Sequence, residues 1–212
     1  MRKWTLLVLL GLLSTSVVSL ASTVSITFEN TGPGNNDGSY YVYPYNVSVN
    51  GSSNYVSMAC MTYGNEIKTG ETWTATVSSL YDTTNTFGGS GSLKLYQEAA
   101  WLFLQLGTNP SQNTAIGINY AIWGLFSSSA LNSASYTTYG SAAWLTDAVN
   151  ALPKLPANYF SGLAIYTPTG APNGYGMPQE LIGPAPVPEP GTLALLGTGL
   201  VTLAGFIRKR LC

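Results

Sequence analysis

Cys60 is the side chain best suited to covalent chemistry, because a thiolate is a strong nucleophile. Two cysteines occur among the 212 residues. The second, Cys212, lies beyond the last apolar run and is not expected to meet Cys60. A thiolate can attack the side-chain amide of a nearby Gln, expel ammonia and leave an internal thioester. That reaction needs the Cys on one element, the Gln on a helix, and aromatic packing around both. The alternative is a buried free thiol acting as a small hydrophobe, which the neighbours Met58, Ala59 and Met61 allow. Glu66, Glu71 and Glu98 are the carboxylates that could serve glycoside hydrolysis, which needs two of them about 5–9.5 Å apart. Nothing in their spacing pairs them, and exposed acids on a low-charge surface are the commoner case. The chain has no His, which excludes His-based triads and the usual zinc sites. Asn35-Asn36-Asp37-Gly38 offers a single carboxylate, too few for a strong calcium loop, and reads as a turn. No catalytic residue, metal ligand or cofactor-binding residue is therefore expected, and the chain is expected not to be an enzyme.

The elements that would position Cys60 divide into three groups. Thr23–Phe28 alternates small polar and apolar residues. Tyr40–Val49, Tyr55–Met61 and Thr72–Leu80 follow as further strands, separated by turns at Gly32–Gly38, Asn50–Asn54 and Gly64-Asn65. The period then changes. Leu93, Ala99, Ala100, Leu102, Phe103 and Leu106 predict a helix from about Ser92, stopped by Gly107. Ala115, Ile118, Ala121, Ile122 and Leu125 predict a second, and Ser141–Leu152 a third, stopped by Pro153. Strand patterning returns at Leu163–Tyr166, before a loop rich in Pro and Gly that runs through Met177-Pro178-Gln179-Glu180. Strands flanking a helical block predict an α+β domain over residues 22–183. The first two helices share a phrase, Gln97-Glu98-Ala99-Ala100-Trp101-Leu102 and Asn119-Tyr120-Ala121-Ile122-Trp123-Gly124. Alanines that admit close approach and a Trp that fills the gap suit two core helices docking alike.

Charged residues make up 8% of the chain. Its surface is therefore solvated mainly by hydroxyls and amides. Between the basic ends lie Lys68, Lys94 and Lys154 against nine acids, a net charge of −6, with no Arg. A nucleic-acid partner needs clustered Lys and Arg and is not expected.

The two ends read as addresses. Residues 1–21 have the parts of a signal peptide: basic Arg2 and Lys3, an apolar Leu6–Leu13, and small residues in Ser19-Leu20-Ala21, with cleavage expected after Ala21. Residues 184–212 carry an extended, proline-stiffened Val187-Pro188-Glu189-Pro190. An apolar stretch at 192–207 follows as a single transmembrane helix, and Arg208-Lys209-Arg210 stops it on the cytoplasmic side. The domain between must then face outward.

The run Val187-Pro188-Glu189-Pro190-Gly191-Thr192, the apolar helix and the Arg208-Lys209-Arg210 tail together resemble the PEP-CTERM sorting signal. That resemblance implies an exosortase partner, a membrane-embedded cysteine transpeptidase that cuts near Pro188-Glu189-Pro190. Before processing the protein would be held in the inner membrane by its C-terminal helix. Afterwards it would pass to the outer envelope or an extracellular polysaccharide matrix.

The domain resembles the thioester-domain fold of bacterial surface adhesins from about Ser57 to Glu180. The resemblance rests on Cys60 at a strand end, Gly70-Glu71-Thr72-Trp73-Thr74-Ala75, the Ala-Ala-Trp and Ala-Ile-Trp phrases, and Pro178-Gln179-Glu180. It implies a thioester between Cys60 and a Gln standing two residues before the Ala of Ala-Ile-Trp. Here that position is Asn119, one methylene shorter, and Gln97 holds the equivalent place in the first phrase. The sequence leaves a Cys60–Gln97 thioester, a Cys60–Asn119 bond and a free thiol open. The expected function is that of a non-enzymatic envelope or matrix protein, adhesive or structural, with exopolysaccharide or a surface ligand as partner. A secreted polysaccharide hydrolase and a covalent adhesin are the alternatives.

Overall fold

The computed structural model describes residues 22–170 and 176–186, together with Gly197 and Gly199, which are helical. The predicted signal peptide (1–21), the Val187–Pro190 motif, the Arg208–Arg210 tail and the rest of the predicted 192–207 helix lie outside the described residues. Among the described residues no helix is long and apolar enough to cross a membrane.

The architecture is α+β. Six antiparallel strands close into a barrel: β1 (Ser22–Asn30), β2 (Tyr45–Val49), β3 (Val56–Cys60), β4 (Thr72–Ser79), β5 (Leu163–Pro168) and β6 (Leu181–Pro184). The order around it is β1-β2-β3-β6-β5-β4. Closure leaves no unpaired edge. The period-2 pattern of β1 buries Val24, Ile26 and Phe28 and exposes Thr23 and Ser25, as a half-solvated strand should. β2 and β3 are joined through Asn50 and Gly51, both at positive φ (53° and 71°). They form a tight turn, closed by the Ser52 N–H on the Val49 carbonyl at 3.1 Å, that opens the six-residue connection.

Between β4 and β5 the chain inserts its helical block: α1 (Leu93–Leu106), α2 (Gln112–Phe126), two short helices α3 (Ser128–Leu131) and α4 (Ala134–Thr138), and α5 (Ser141–Ala151). Gly107 at φ 60° ends α1, a conformation that costs a residue with a Cβ. Ser111 caps α2 by accepting a hydrogen bond from the Thr114 N–H at 3.2 Å. From Ala115 to Trp123 every residue of α2 is buried, so this helix is sheathed on all sides. It packs on α1 and α5 and against β3, while α1 lies against β6. A helical layer on that side explains why Met58, Ala59 and Cys60 are all buried.

Four elements differ from expectation. The strand predicted over Tyr40–Val49 begins only at Tyr45, after a cis Tyr43–Pro44 bond. Proline lacks the N–H a ladder requires, and Tyr40–Pro44 is a loop. The segment after Glu180, to which the sequence assigned no element, supplies β6, which closes the barrel between β3 and β5. The helices α3 and α4 were not expected.

Candidate functional site

Cys60 is the last residue of β3, opposite Leu181 of β6. It is the free cysteine among the described residues and is buried. Its thiol donates to the Thr62 carbonyl at 3.3 Å and accepts from Trp123 Nε1 at 3.4 Å. Burial pushes the thiol up to about 12, against the smaller opposing effect of the Trp123 N–H that donates to the sulfur. A free thiol at this position is therefore held neutral at physiological pH. The structure brings Asn119 to Cys60: its Nδ2 donates to the Cys60 carbonyl at 3.3 Å. Its Oδ1 accepts from the Tyr43 N–H at 3.1 Å, so both ends of this wholly buried amide are engaged. Gln97 points its amide elsewhere, donating to the Leu80 carbonyl at 3.0 Å.

The Pro178-Gln179-Glu180 segment runs beside the end of β3. The Met61 N–H donates to the Glu180 carbonyl at 2.8 Å, and the Glu180 N–H donates to Thr62 Oγ1 at 3.0 Å. The Glu180 carboxylate is buried and accepts three hydrogen bonds, from the Phe87 N–H at 3.0 Å, Tyr96 Oη at 2.7 Å and Thr167 Oγ1 at 2.6 Å. Desolvation raises its proton affinity above the ordinary glutamate value, against those three bonds. It borders a cleft of about 320 Å³ with Tyr63, Phe87, Tyr96 and Phe126. Sequence reasoning passed over Glu180 as a carboxylate of interest. Its partners come from α1, β5 and the β4–α1 connection, and no local pattern announces them.

The three acids singled out from the sequence stand apart in kind. Glu66 is exposed. Glu71 and Glu98 are buried, contrary to the reading of exposed surface acids. Glu71 Oε2 accepts from the Lys68 N–H at 2.9 Å, which ties the turn before β4. Glu98 pairs with Lys94 across one helical turn at 3.7 Å. Asp37, read as part of a turn, is a hub. Its carboxylate accepts from the Ser39 and Tyr40 N–H groups, the Tyr120 hydroxyl and the Ser135 hydroxyl. Burial works to raise the Asp37 carboxyl, but these hydrogen bonds outweigh it and hold it below the ordinary aspartate value. Among the described residues no group of three His, Cys, Asp or Glu could hold a metal ion.

A second cleft, of about 410 Å³, also borders Thr62. Tyr40, Tyr41, Tyr45 and Trp123 contribute rings to it, and Asn65 and Gln179 contribute amides. Trp123 thus serves both places, its indole N–H on the Cys60 sulfur and its ring in the cleft wall.

The residue types in this site suit binding. Burial disfavours a thiolate there, both ends of the Asn119 amide are engaged, one oxygen of Gln179 has no partner, and the clefts are lined by rings and hydroxyls.

Residues 186–210 match the model of the PEP-CTERM protein-sorting motif. The match starts at Pro186, two residues after β6 ends. No curated protein and no solved structure matches the chain. The sorting motif marks an exported protein that is sorted by an exosortase.

Proposed function

We propose that this is a non-enzymatic protein of the cell envelope or extracellular matrix, whose barrel-and-helix domain has an adhesive or structural role once an exosortase has processed its C-terminus. The observation that carries the reading is the sorting motif at 186–210, directly behind the strand that closes the barrel. Pro188, Glu189 and Pro190 are then substrate residues for the processing enzyme. The signal peptide, the 192–207 helix and the Arg208-Lys209-Arg210 tail complete the topology. The helix holds the chain in the inner membrane until cleavage.

The non-enzymatic part is supported by the state of the acids. Glu98 is paired with Lys94, Glu71 is tied through one oxygen to the Lys68 N–H while its other oxygen is buried without a partner, and Glu180 accepts from three donors that tie elements together. Cys60 is carried as a free thiol in this reading. The support is its burial, and the engagement of Asn119 and Gln97 with backbone groups.

Cell fractionation with mapping of the mature C-terminus tests the sorting. The expected product ends near Pro190 and resides in the envelope or the medium. Full-length chain in the cytosol, retaining Arg2 and Arg210, would overturn the reading. Turnover of polysaccharide by the purified protein, abolished by Glu98→Gln, would replace it with the hydrolase alternative. Cys60 is sealed from solvent, so thiol reagents report on it only after unfolding. Intact mass distinguishes the covalent adhesin: a mass short by one ammonia would establish a thioester, and the free thiol predicts no such loss.

A further inference from the structure

We infer that the cleft bounded by Tyr40, Tyr41, Trp123 and Gln179 is a binding site for a neutral saccharide. The inference deepens the adhesive reading, and rests on it for the setting in which such a ligand is met. Three observations carry it.

The first is the arrangement of the rings. Tyr40 is held by Tyr63 and Trp123, with ring centroids 5.0 and 6.0 Å away, so it is a fixed platform. Tyr41 beside it is 54% exposed, a flat amphipathic face open to a ligand. Ordered aromatic faces cover the C–H faces of pyranose rings well, because both are flat and apolar with polar edges. A volume of about 410 Å³ is in the range of small-molecule sites.

The second is an unmet hydrogen bond. Gln179 is only 5% exposed. Its Nε2 donates to the Asn65 carbonyl, which sets the orientation of the amide, and its Oε1 accepts nothing. A buried carbonyl oxygen without a donor costs stability and calls for an explanation. That oxygen is itself sealed from solvent, so a ligand hydroxyl supplies the missing donor only by displacing the groups that cover it. Ser39, Thr62 and Asn65 lie along the same cleft and can both give and accept hydrogen bonds, matching the dual character of sugar hydroxyls.

The third is charge. Glu66 is the one charged side chain in the lining, and no Lys or Arg is present there. Carboxylate and phosphate ligands are recognised by basic groups, so this cleft disfavours uronate, sulfated or phosphorylated polymers. The ligand class is uncharged.

The test uses the full-length chain in a zwitterionic detergent, since a sugar-headed one would compete. Cello-, manno- and chito-oligosaccharides are titrated by calorimetry and by tryptophan fluorescence, with oligogalacturonate as the acidic comparison. Saturable binding of at least one neutral oligosaccharide is expected, with perturbed tryptophan emission and at least about tenfold weaker binding of oligogalacturonate. Tyr41→Ala should weaken binding about tenfold, and Tyr41→Phe should preserve it. The exposure of the Tyr41 ring keeps this truncation from threatening the fold. Tyr55→Ala, 57% exposed and outside the cleft lining, should bind as the parent does. Failure of every neutral oligosaccharide to bind, equal affinity for oligogalacturonate, or indifference to Tyr41→Ala would each overturn the inference. Those failures leave the sorting reading intact, which stands or falls on C-terminal mapping. Shortening of a bound oligosaccharide would leave the cleft assigned and remove the non-enzymatic part of the proposed function.

Discussion

Asn119 shows how much one buried amide can hold. It joins the Cys60 carbonyl at the end of β3 to the Tyr43 N–H of the preceding loop, from a position on α2 with no solvent contact. Truncation strands both backbone groups in a dry interior, and each such orphan costs roughly 1–3 kcal/mol. Asn119→Ala is therefore expected to lose about 2–4 kcal/mol of stability. The check is urea denaturation, with a lower midpoint and an unchanged slope. A chain held by this pair only incidentally would show a loss below about 1 kcal/mol. At this scale the sequence singled out Cys60 and Asn119 together, through the Ala-Ile-Trp phrase that follows. It could not reveal that Asn119 is saturated by backbone, because Tyr43 is 76 residues away.

The element that organises the molecule is α2. Its nine consecutive buried residues leave no solvent-facing stripe. One position in it is set by contact with a neighbouring segment. A Cβ on Gly117 would lie 2.5 Å from the Tyr139 carbonyl oxygen and 3.3 Å from Trp144 Nε1. Alanine in an open helix would gain about 1 kcal/mol over glycine. Here the obstacle is a backbone carbonyl between α4 and α5 that cannot swing aside, and overpacking of this kind costs about 1–3 kcal/mol. Gly117→Ala should therefore lower the melting temperature, and a raised melting temperature would show that α5 yields easily. The three main helices were legible in the sequence because their periodicity is local. Gly107 and Ser111 mark the stop of one and the start of the next. β6 was not legible: Leu181–Pro184 has four residues and becomes a strand only because β3 and β5 pair with it.

At the scale of the molecule, two carboxyls oppose one another in their pH dependence. Asp37 is held below its ordinary value of 3.8. Its contribution is present above that value and is lost as pH falls through the folded-state value below it. Glu180 is raised above 4.5 by burial. Its contribution is complete below 4.5 and declines as pH rises through the folded-state value above it. Stability should thus fall on both flanks of a maximum in the acidic range. Asp37→Asn should flatten the acid flank, and Glu180→Gln the flank rising from 4.5 towards neutrality. Denaturant melts across this range check both, and parallel curves for parent and variants would show that the two groups do not titrate with folding.

The C-terminal sorting motif, the alternation of β1, the helical block and the scarcity of charge were written in the sequence, because each is a property of neighbouring residues or of totals. The match at 186–210 belongs to that class, a linear signal read by another protein. Barrel closure, the burial of Glu71 and Glu98, the three donors on Glu180 and the ring-lined cleft with its unpaired Gln179 oxygen were decided only by tertiary structure. Each depends on groups far apart along the chain whose meeting is fixed by which strand pairs with which. Linear patterning carries no term for that choice.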